Sequence, residues 1–466
     1  MKTAAVLFGL IATLAAPAAA EDAKPRLIVV SDIGNEPDDS ESFVRLLTYT
    51  NQIDVKGLIA STSTWQREAI HPELFYERID GYAKVLKNLR AHDKAYPDAE
   101  ALRALVKKGQ PHYGVAYVGE GFDTEGSRQI IQEADKPDPR PLWVVNWGGS
   151  VDLAQALYRV RATRTPEQVK AFVAKLRVYS ISDQDDAGPW ARVNFPDLVW
   201  IASINAFSQY GSATWTGISS DTYGDPHGEH PTGPDTRLVT NEWIDANIRQ
   251  GALGTLYPNW KYQMEGDTPS FLNLIARGLA DPEHPEWGGW GGRYGKVAPQ
   301  YGLYSNANDT ATGVDGKAYN SNQASIWRWR AGYQNDFAAR IAWSLSSKFK
   351  AANHAPVAVL NGDTSFAPVR ITAKYGETIA LSAEGSRDPD KNALTYKWWI
   401  YNEAGSPGVT PQLTVRDPQH ATLTVPPAAP YPGYGPEREV HVILEVRDDG
   451  KPALTTYRRA VVTVRP

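Results

Sequence analysis

Five short apolar runs, "RLIVVSD", "VKGLIAST", "PLWVVNWGG", "LRVYSISD" and "LVWIASI", punctuate the chain between Arg26 and Ile204, and each ends in small or polar residues. Amphipathic stretches such as "SVDLAQALYRVRA" and "TPEQVKAFVAKL" lie between them. From Lys24 to about Lys350 this alternation predicts a layered α/β domain with a mostly parallel sheet flanked by helices, closed by a helix over "NDFAARIAWSLSSKF". In such sheets ligands gather at the carboxyl ends of the strands. The glycine-rich stretch "SDTYGDPHGEHPTGPDT" reads as a long loop over that edge.

The pattern changes at "KAANHAPVAVLNGD". Beyond it, "ETIALSAEG", "LTYKWWIY", "ATLTVPP", "EVHVILEVRDDG" and "RRAVVTVRP" are short alternating runs spaced by turn signals, which predict a small β-sandwich. A chain of 466 residues accommodates both units. The expected division is a domain over 21–352 and a sandwich over 353–466. The acidic turns "RDPD" and "RDDG" of the sandwich have no partner cluster, so it is expected to lie outside any catalytic unit and its removal to spare turnover of a small soluble substrate.

Residues 1–20 read as a secretory signal: Lys2, the apolar "AAVLFGLIATLAA", then "APAAA" before Glu21. The remainder is expected to be exported, periplasmic or extracellular, with no membrane-spanning segment. There is no cysteine, which excludes disulfides, thiolate metal sites and a cysteine nucleophile. With 48 Lys and Arg against 53 Asp and Glu, the chain has no global field for a nucleic acid polymer or an anionic membrane. Its 15 Trp and 23 Tyr suit stacking on sugar faces and equally suit a large core.

Directly after the first strand, "SDIGNEPDDSESFVRLL" places Asp32, Glu36, Asp38 and Asp39 within eight residues. Such a group raises its own pKa values unless a cation or hydrogen-bond donors compensate, and a hard cation such as calcium accepts several carboxylate oxygens. A helix start at "DDSESFVRLL" accounts for Asp38 and Asp39 through the helix dipole, but not for Asp32 at the strand end or for the turn at Gly34.

The order strand, Asp, any residue, Gly, spacer, Asp-Asp, helix resembles the amino-terminal signature of the nucleoside hydrolase superfamily. The resemblance implies that Asp32 and Asp39 are calcium ligands, that Asp32 also takes a proton from the attacking water, and that Asp38 contacts sugar hydroxyls. "VVNWGGSVDLAQAL" is similar to the family segment whose backbone carbonyl completes the metal shell, at Val151. "MEGDTPSFLNLI" resembles the segment giving the last carboxylate, Asp267, and "ARVNFPDLVWIAS" places Asn194 on the sugar. Both "GGS" and Asp267 also fit ordinary helix starts. Two features depart from the family: the extra "NE" ahead of the Asp pair leaves Glu36 without a counterpart, and Gly266, next to Glu265, stands where many members carry a His that assists the leaving group. The whole pattern resembles most the secreted cellulose-binding family of nucleoside hydrolase-like proteins with an Ig-like carboxyl-terminal domain. The sandwich itself resembles modules of the polycystic-kidney-disease-repeat type.

In "ISDQDDAGPW", Asp183 is the candidate general acid, with Asp185 and Asp186 read as a solvated turn. Trp65, Trp147 and Trp190 fall near strand ends as candidate stacking platforms. His227 and His230 lack a third ligand, and neither a phosphate-binding loop nor a zinc HExxH motif occurs. The expected function is calcium-dependent hydrolysis of an N- or O-glycosyl bond in carbohydrate, with non-catalytic binding of cellulose or another polysaccharide as the alternative. The oligomeric state is not legible.

Overall fold

The computed structural model describes residues 23–204, 209–220, 233–427 and 437–466. The expected leader, 1–20, lies outside these residues, as do His227 and His230. Eight strands form the main sheet: β1 (Arg26–Ser31), β2 (Asp54–Ala60), β3 (Val106–Lys108), β4 (Leu142–Asn146), β5 (Leu176–Ser182), β6 (Val199–Ser203), β7 (Tyr294–Lys296) and β8 (Leu303–Asn306). Their order is β3-β2-β1-β4-β5-β6-β8-β7, parallel throughout except for β7. The chain runs outward from β1 to β3 and then resumes on the other side at β4. This leaves a crevice beyond the carboxyl ends of β1 and β4, where open parallel sheets bind their ligands.

In β1 the four central residues are all apolar: Leu27 and Val29 enter one core, Ile28 and Val30 the other, and all four are fully buried between the polar ends Arg26 and Ser31. A strand covered by helices on both faces cannot alternate with polar residues. The helices predicted from amphipathic runs form over Asp38–Thr48, Val151–Thr163, Pro166–Ala174 and Arg330–Leu345. Among the described residues, no helix is long and apolar enough to cross a membrane.

The carboxyl-terminal region is a sandwich of a four-stranded sheet, with Thr455–Arg465 and Arg438–Asp448 at its centre, and a three-stranded sheet around His420–Thr424. It has its own apolar core around Trp398, Leu423, Val442 and Val462. One face, however, is continuous with the first domain: Tyr401, Ile443 and Tyr457 belong to the same buried cluster as Leu27 and Phe43. Arg459, fully buried, donates to the carbonyls of Leu279, Trp287 and Gly288 at 2.7–3.1 Å. The two regions share a core, so the sandwich also supports the packing of the first domain.

Candidate functional site

The carboxyl end of β1 turns sharply at Gly34, whose φ of +118° lies in a region that side-chain-bearing residues rarely adopt. The turn brings the acidic loop back over the strand end, and Asp38 starts the helix Asp38–Thr48. Asp267, from the segment before the short helix Pro269–Leu272, arrives at the same place. Oxygens of Asp38, Asp39 and Asp267 lie within 4.8 Å of one another. Asp32 adjoins them: its charge acts on all three. It also touches the turn after β4, because a Cβ on Gly148 would stand 2.6 Å from its Oδ1. Val151 is buried at the start of the helix that follows this turn.

Asp32, Asp39 and Asp267 are almost wholly buried, and Asp38 partly so. Burial, reinforced by the charges of Glu36 and neighbouring aspartates, pushes Asp32 up to about 7 and Asp38 up to about 8. Asp39 and Asp267 rise for the same reasons. Compensation is small: Ser63 hydrogen-bonds Asp32, and the Ser31 hydroxyl donates to Asp39. Asp38 Oδ1 and Asp267 Oδ2 are buried without any hydrogen-bond partner. Buried carboxylates left in this state cost several kcal/mol unless something neutralises them. Arg45 does not do so: its guanidinium is paired with Glu265 and bonded to Gln334 and the Tyr333 carbonyl. The donor set is therefore oxygen only, uncompensated and convergent, which fits a hard divalent cation.

Above the carboxylates lies a narrow cleft of about 40 Å³, lined by Glu36, Asp38, Trp65, Gln184, Tyr210, Trp215 and Gln263 among others. Trp65 is 52% exposed at its mouth, and its indole N–H donates to the Tyr210 hydroxyl at 3.0 Å. Of the three expected stacking residues only Trp65 is in the cleft. Trp147 is fully buried, packs on Phe271 and donates to the Ser270 hydroxyl at 2.9 Å, so it roofs the core instead. Trp190 packs against Phe195 on the far side of its helix, with Arg161 over its ring. Asn194 is exposed at the carboxyl end of that helix, accepting from Arg161 at 2.7 Å, and does not reach the cleft.

Asp183 is likewise corrected. Arg192 holds both of its carboxylate oxygens with bonds of 2.8 and 2.6 Å, and Asp183 does not line the cleft. Asp185 is no solvated turn: buried, it accepts from the backbone N–H groups of Ser150, Ala187 and Gly188 and ties the loop after β5 to the turn after β4. Asp186 accepts from the Val115 N–H at 2.7 Å.

Two features escaped sequence reasoning. Glu265, at φ +51°, is buried and anchored by Arg45, by the Tyr257 hydroxyl at 2.9 Å and by Thr268 at 2.8 Å, while its N–H donates to Glu41. It braces the segment that delivers Asp267. Trp215 closes the cleft beside Gly266: a Cβ on Gly266 would lie 3.0 Å from its ring and 2.8 Å from Asp38. The indole occupies the space into which a side chain at 266 would grow. Nothing in "SATWTG" announces this, since the contact joins residues about fifty positions apart.

The family model described as "Cellulose-binding Sde182, nucleoside hydrolase-like domain" matches residues 26–294, and "Cellulose-binding protein Sde0182, C-terminal domain" matches 378–464. No curated protein matches. Among solved structures, a nucleoside hydrolase-related hypothetical protein from Saccharophagus degradans, described as associated with carbohydrate metabolism, is 34% identical over 95% of this chain and 100% of its own, with a TM-score of 0.79. The effector protein XOO4466 aligns at 13% identity over 71% of this chain and 94% of its own, with a TM-score of 0.31, too loosely to bear on function. The chain belongs to the family of cellulose-binding, nucleoside hydrolase-like Sde182 proteins.

Proposed function

We propose that the protein is an exported, calcium-dependent hydrolase of glycosyl bonds in plant or microbial carbohydrate. The observation that carries this reading is the convergence of four aspartates, three buried and Asp38 partly so, uncompensated by any cationic side chain among the described residues, at the floor of an aromatic-rimmed cleft. Asp32, Asp39, Asp267 and the Val151 carbonyl would hold the cation, with Asp38 beside them. A calcium ion there supplies charge neutralisation and Lewis acidity. Asp32 accepts the proton of the attacking water. Asp38 receives the sugar hydroxyls on its unpartnered oxygen, and Trp65 presents a face for ring stacking. Export follows from the expected leader.

The test is calorimetric titration of chelator-treated protein with calcium, followed by a screen of nucleosides and aryl glycosides with and without the ion. Calcium-dependent turnover that falls by about 10²–10⁴-fold in Asp32→Asn supports the reading; absence of calcium binding, or undiminished turnover in that variant, ends it.

A second reading, non-catalytic carbohydrate binding, is favoured by one observation. Gly266 and the Trp215 ring leave no proton donor at the position where related enzymes assist the leaving group. Calcium-dependent binding of a glycan without turnover of any substrate, including those with good leaving groups, selects this alternative.

A further inference from the structure

We infer that a groove at the amino ends of β5 and β6, at the opposite end of the sheet from the acidic cleft, binds a small aromatic monocarboxylate. The groove has a volume of about 650 Å³, within the range of about 300–1,000 Å³ typical of ligand sites. Three pieces of chain build it: the last turn of the helix Val151–Thr163, the helix Pro166–Ala174, and the segment 194–197 that leads into β6. Its floor is apolar, with Val173 and Phe195 buried and Val169 half-buried. Pro166 and Pro196 add rigid apolar surface at its sides.

Charge decides what kind of apolar ligand fits. Arg161, Arg164 and Lys170 line the groove against a single carboxylate, Asp197, although the chain as a whole carries a net charge of −5. Arg164 is committed elsewhere, with bonds of 2.7 and 2.6 Å to Asp135. Arg161 is not: no carboxylate pairs with it among the described residues, and its one hydrogen bond there runs from Nη1 to Asn194 Oδ1 at 2.7 Å. The rings of Trp190 and Phe195 hold the guanidinium in place, at 5.4 and 5.2 Å from their centres. It is a fixed cation beside an apolar floor, with its Nε and Nη2 donors unused. Two parallel N–H groups of this kind match the two oxygens of a carboxylate.

The rest of the ligand follows from the same surroundings. Arg161 lies in the last turn of its helix, where the carbonyl end of the dipole is negative and repels a phosphate dianion more than a monoanion. A bare anion would also leave the floor uncovered. A long alkyl chain must freeze many rotors to lie in an open groove, whereas a planar ring covers Val173 and Phe195 with one face and loses little conformational freedom. The groove shares no lining residue with the acidic cleft, so its occupancy is independent of the cation proposed there.

The test is isothermal titration of the full chain, in the presence of a chelator, with cinnamate, cinnamyl alcohol, acetate, phenyl phosphate and decanoate. Cinnamate is expected to bind about tenfold more tightly than each of the other four, and to weaken as salt is raised. Arg161→Gln should weaken cinnamate about tenfold and leave cinnamyl alcohol unchanged. Val169→Asp, which places a carboxylate on the floor, should abolish cinnamate binding. Lys170→Glu, at an exposed position, should weaken it about threefold even if another variant fails to fold. Added calcium should change none of these affinities. No binding of cinnamate, equal binding of cinnamyl alcohol, or undiminished binding in Arg161→Gln and Val169→Asp overturns the inference. So does a calcium-dependent affinity, which places the ligand in the acidic cleft. Tighter binding of decanoate, or a dimer that Val169→Asp dissociates, assigns the groove to an alkyl chain or to a second copy of this chain and overturns it as well.

Discussion

Two groups of buried aspartates in this molecule have opposite electrostatics. At the junction between the domains, Asp336 is bonded by Arg277, by Arg340 at 2.8 Å and by the Tyr49 hydroxyl at 2.6 Å. Burial alone would raise its pKa, but the charges of Arg277 and Arg340 outweigh it and hold the group down to about 2. Asp309 is similarly enclosed by Arg293, Arg328 and the Tyr401 hydroxyl, which comes from the sandwich. At the strand ends, Asp32, Asp39 and Asp267 are equally hidden and Asp38 partly so, but they have no such partners among the described residues. Burial of a carboxylate does not distinguish scaffold from site; the presence or absence of a countercharge does.

The largest effect expected from this contrast follows from deleting residues 353–466. This removes Tyr401 from Asp309 and strips Ile443 and Tyr457 from the shared core, so the fragment should be insoluble or unfolded by circular dichroism. A folded, monodisperse fragment would mean that the junction is dispensable. Next, Asp336→Ala leaves Arg277 and Arg340 buried without their carboxylate and should cost about 3–5 kcal/mol in urea denaturation. Asp39→Asn in metal-free protein should raise stability instead, since it removes like-charge repulsion.

Calcium in excess sharpens the comparison: at 100 times its Kd it should stabilise the wild type by about 2.7 kcal/mol, and Asp39→Asn by much less, as read from thermal unfolding. The two groups should also respond to pH with opposite signs. Asp336 has a depressed folded pKa, so its contribution of about 2 kcal/mol is present above about pH 4 and lost as pH falls through about 2. Asp32 and Asp38 have raised folded values, so their contribution is greatest below about pH 4 and is lost as pH rises through about 7 and 8. Metal-free protein should therefore lose stability between pH 5 and 8, and calcium should flatten that slope. The smallest effect belongs to Trp65→Ala, which should change stability by no more than about 0.5 kcal/mol because the ring is half exposed.

Much of this was legible in the chain. The apolar runs became β1, β2, β4, β5 and β6, because strands buried on both faces must be apolar throughout. Short edge elements such as β3 and β7 were not visible, since three residues carry too little periodicity. Asp32, Asp38, Asp39 and Asp267 were named from local motifs, and the fold brings them together. Trp147, Trp190, Asn194 and Asp183 were misplaced for a common reason: position near a strand end does not say which way a side chain points or what it meets there.

By itself, then, the sequence determined the layered domain followed by a sandwich, the acidic loop and the lack of a His at position 266, all features written in contiguous residues. Only the tertiary structure decided which aspartates are neutralised. Arg277 reaches Asp336 across 59 positions and Arg45 reaches Glu265 across 220, and the same long-range packing sets Trp215 beside Gly266 and joins the two domains in one core. Electrostatic compensation and steric exclusion act between atoms a few ångströms apart in space, a distance that separation along the chain does not encode.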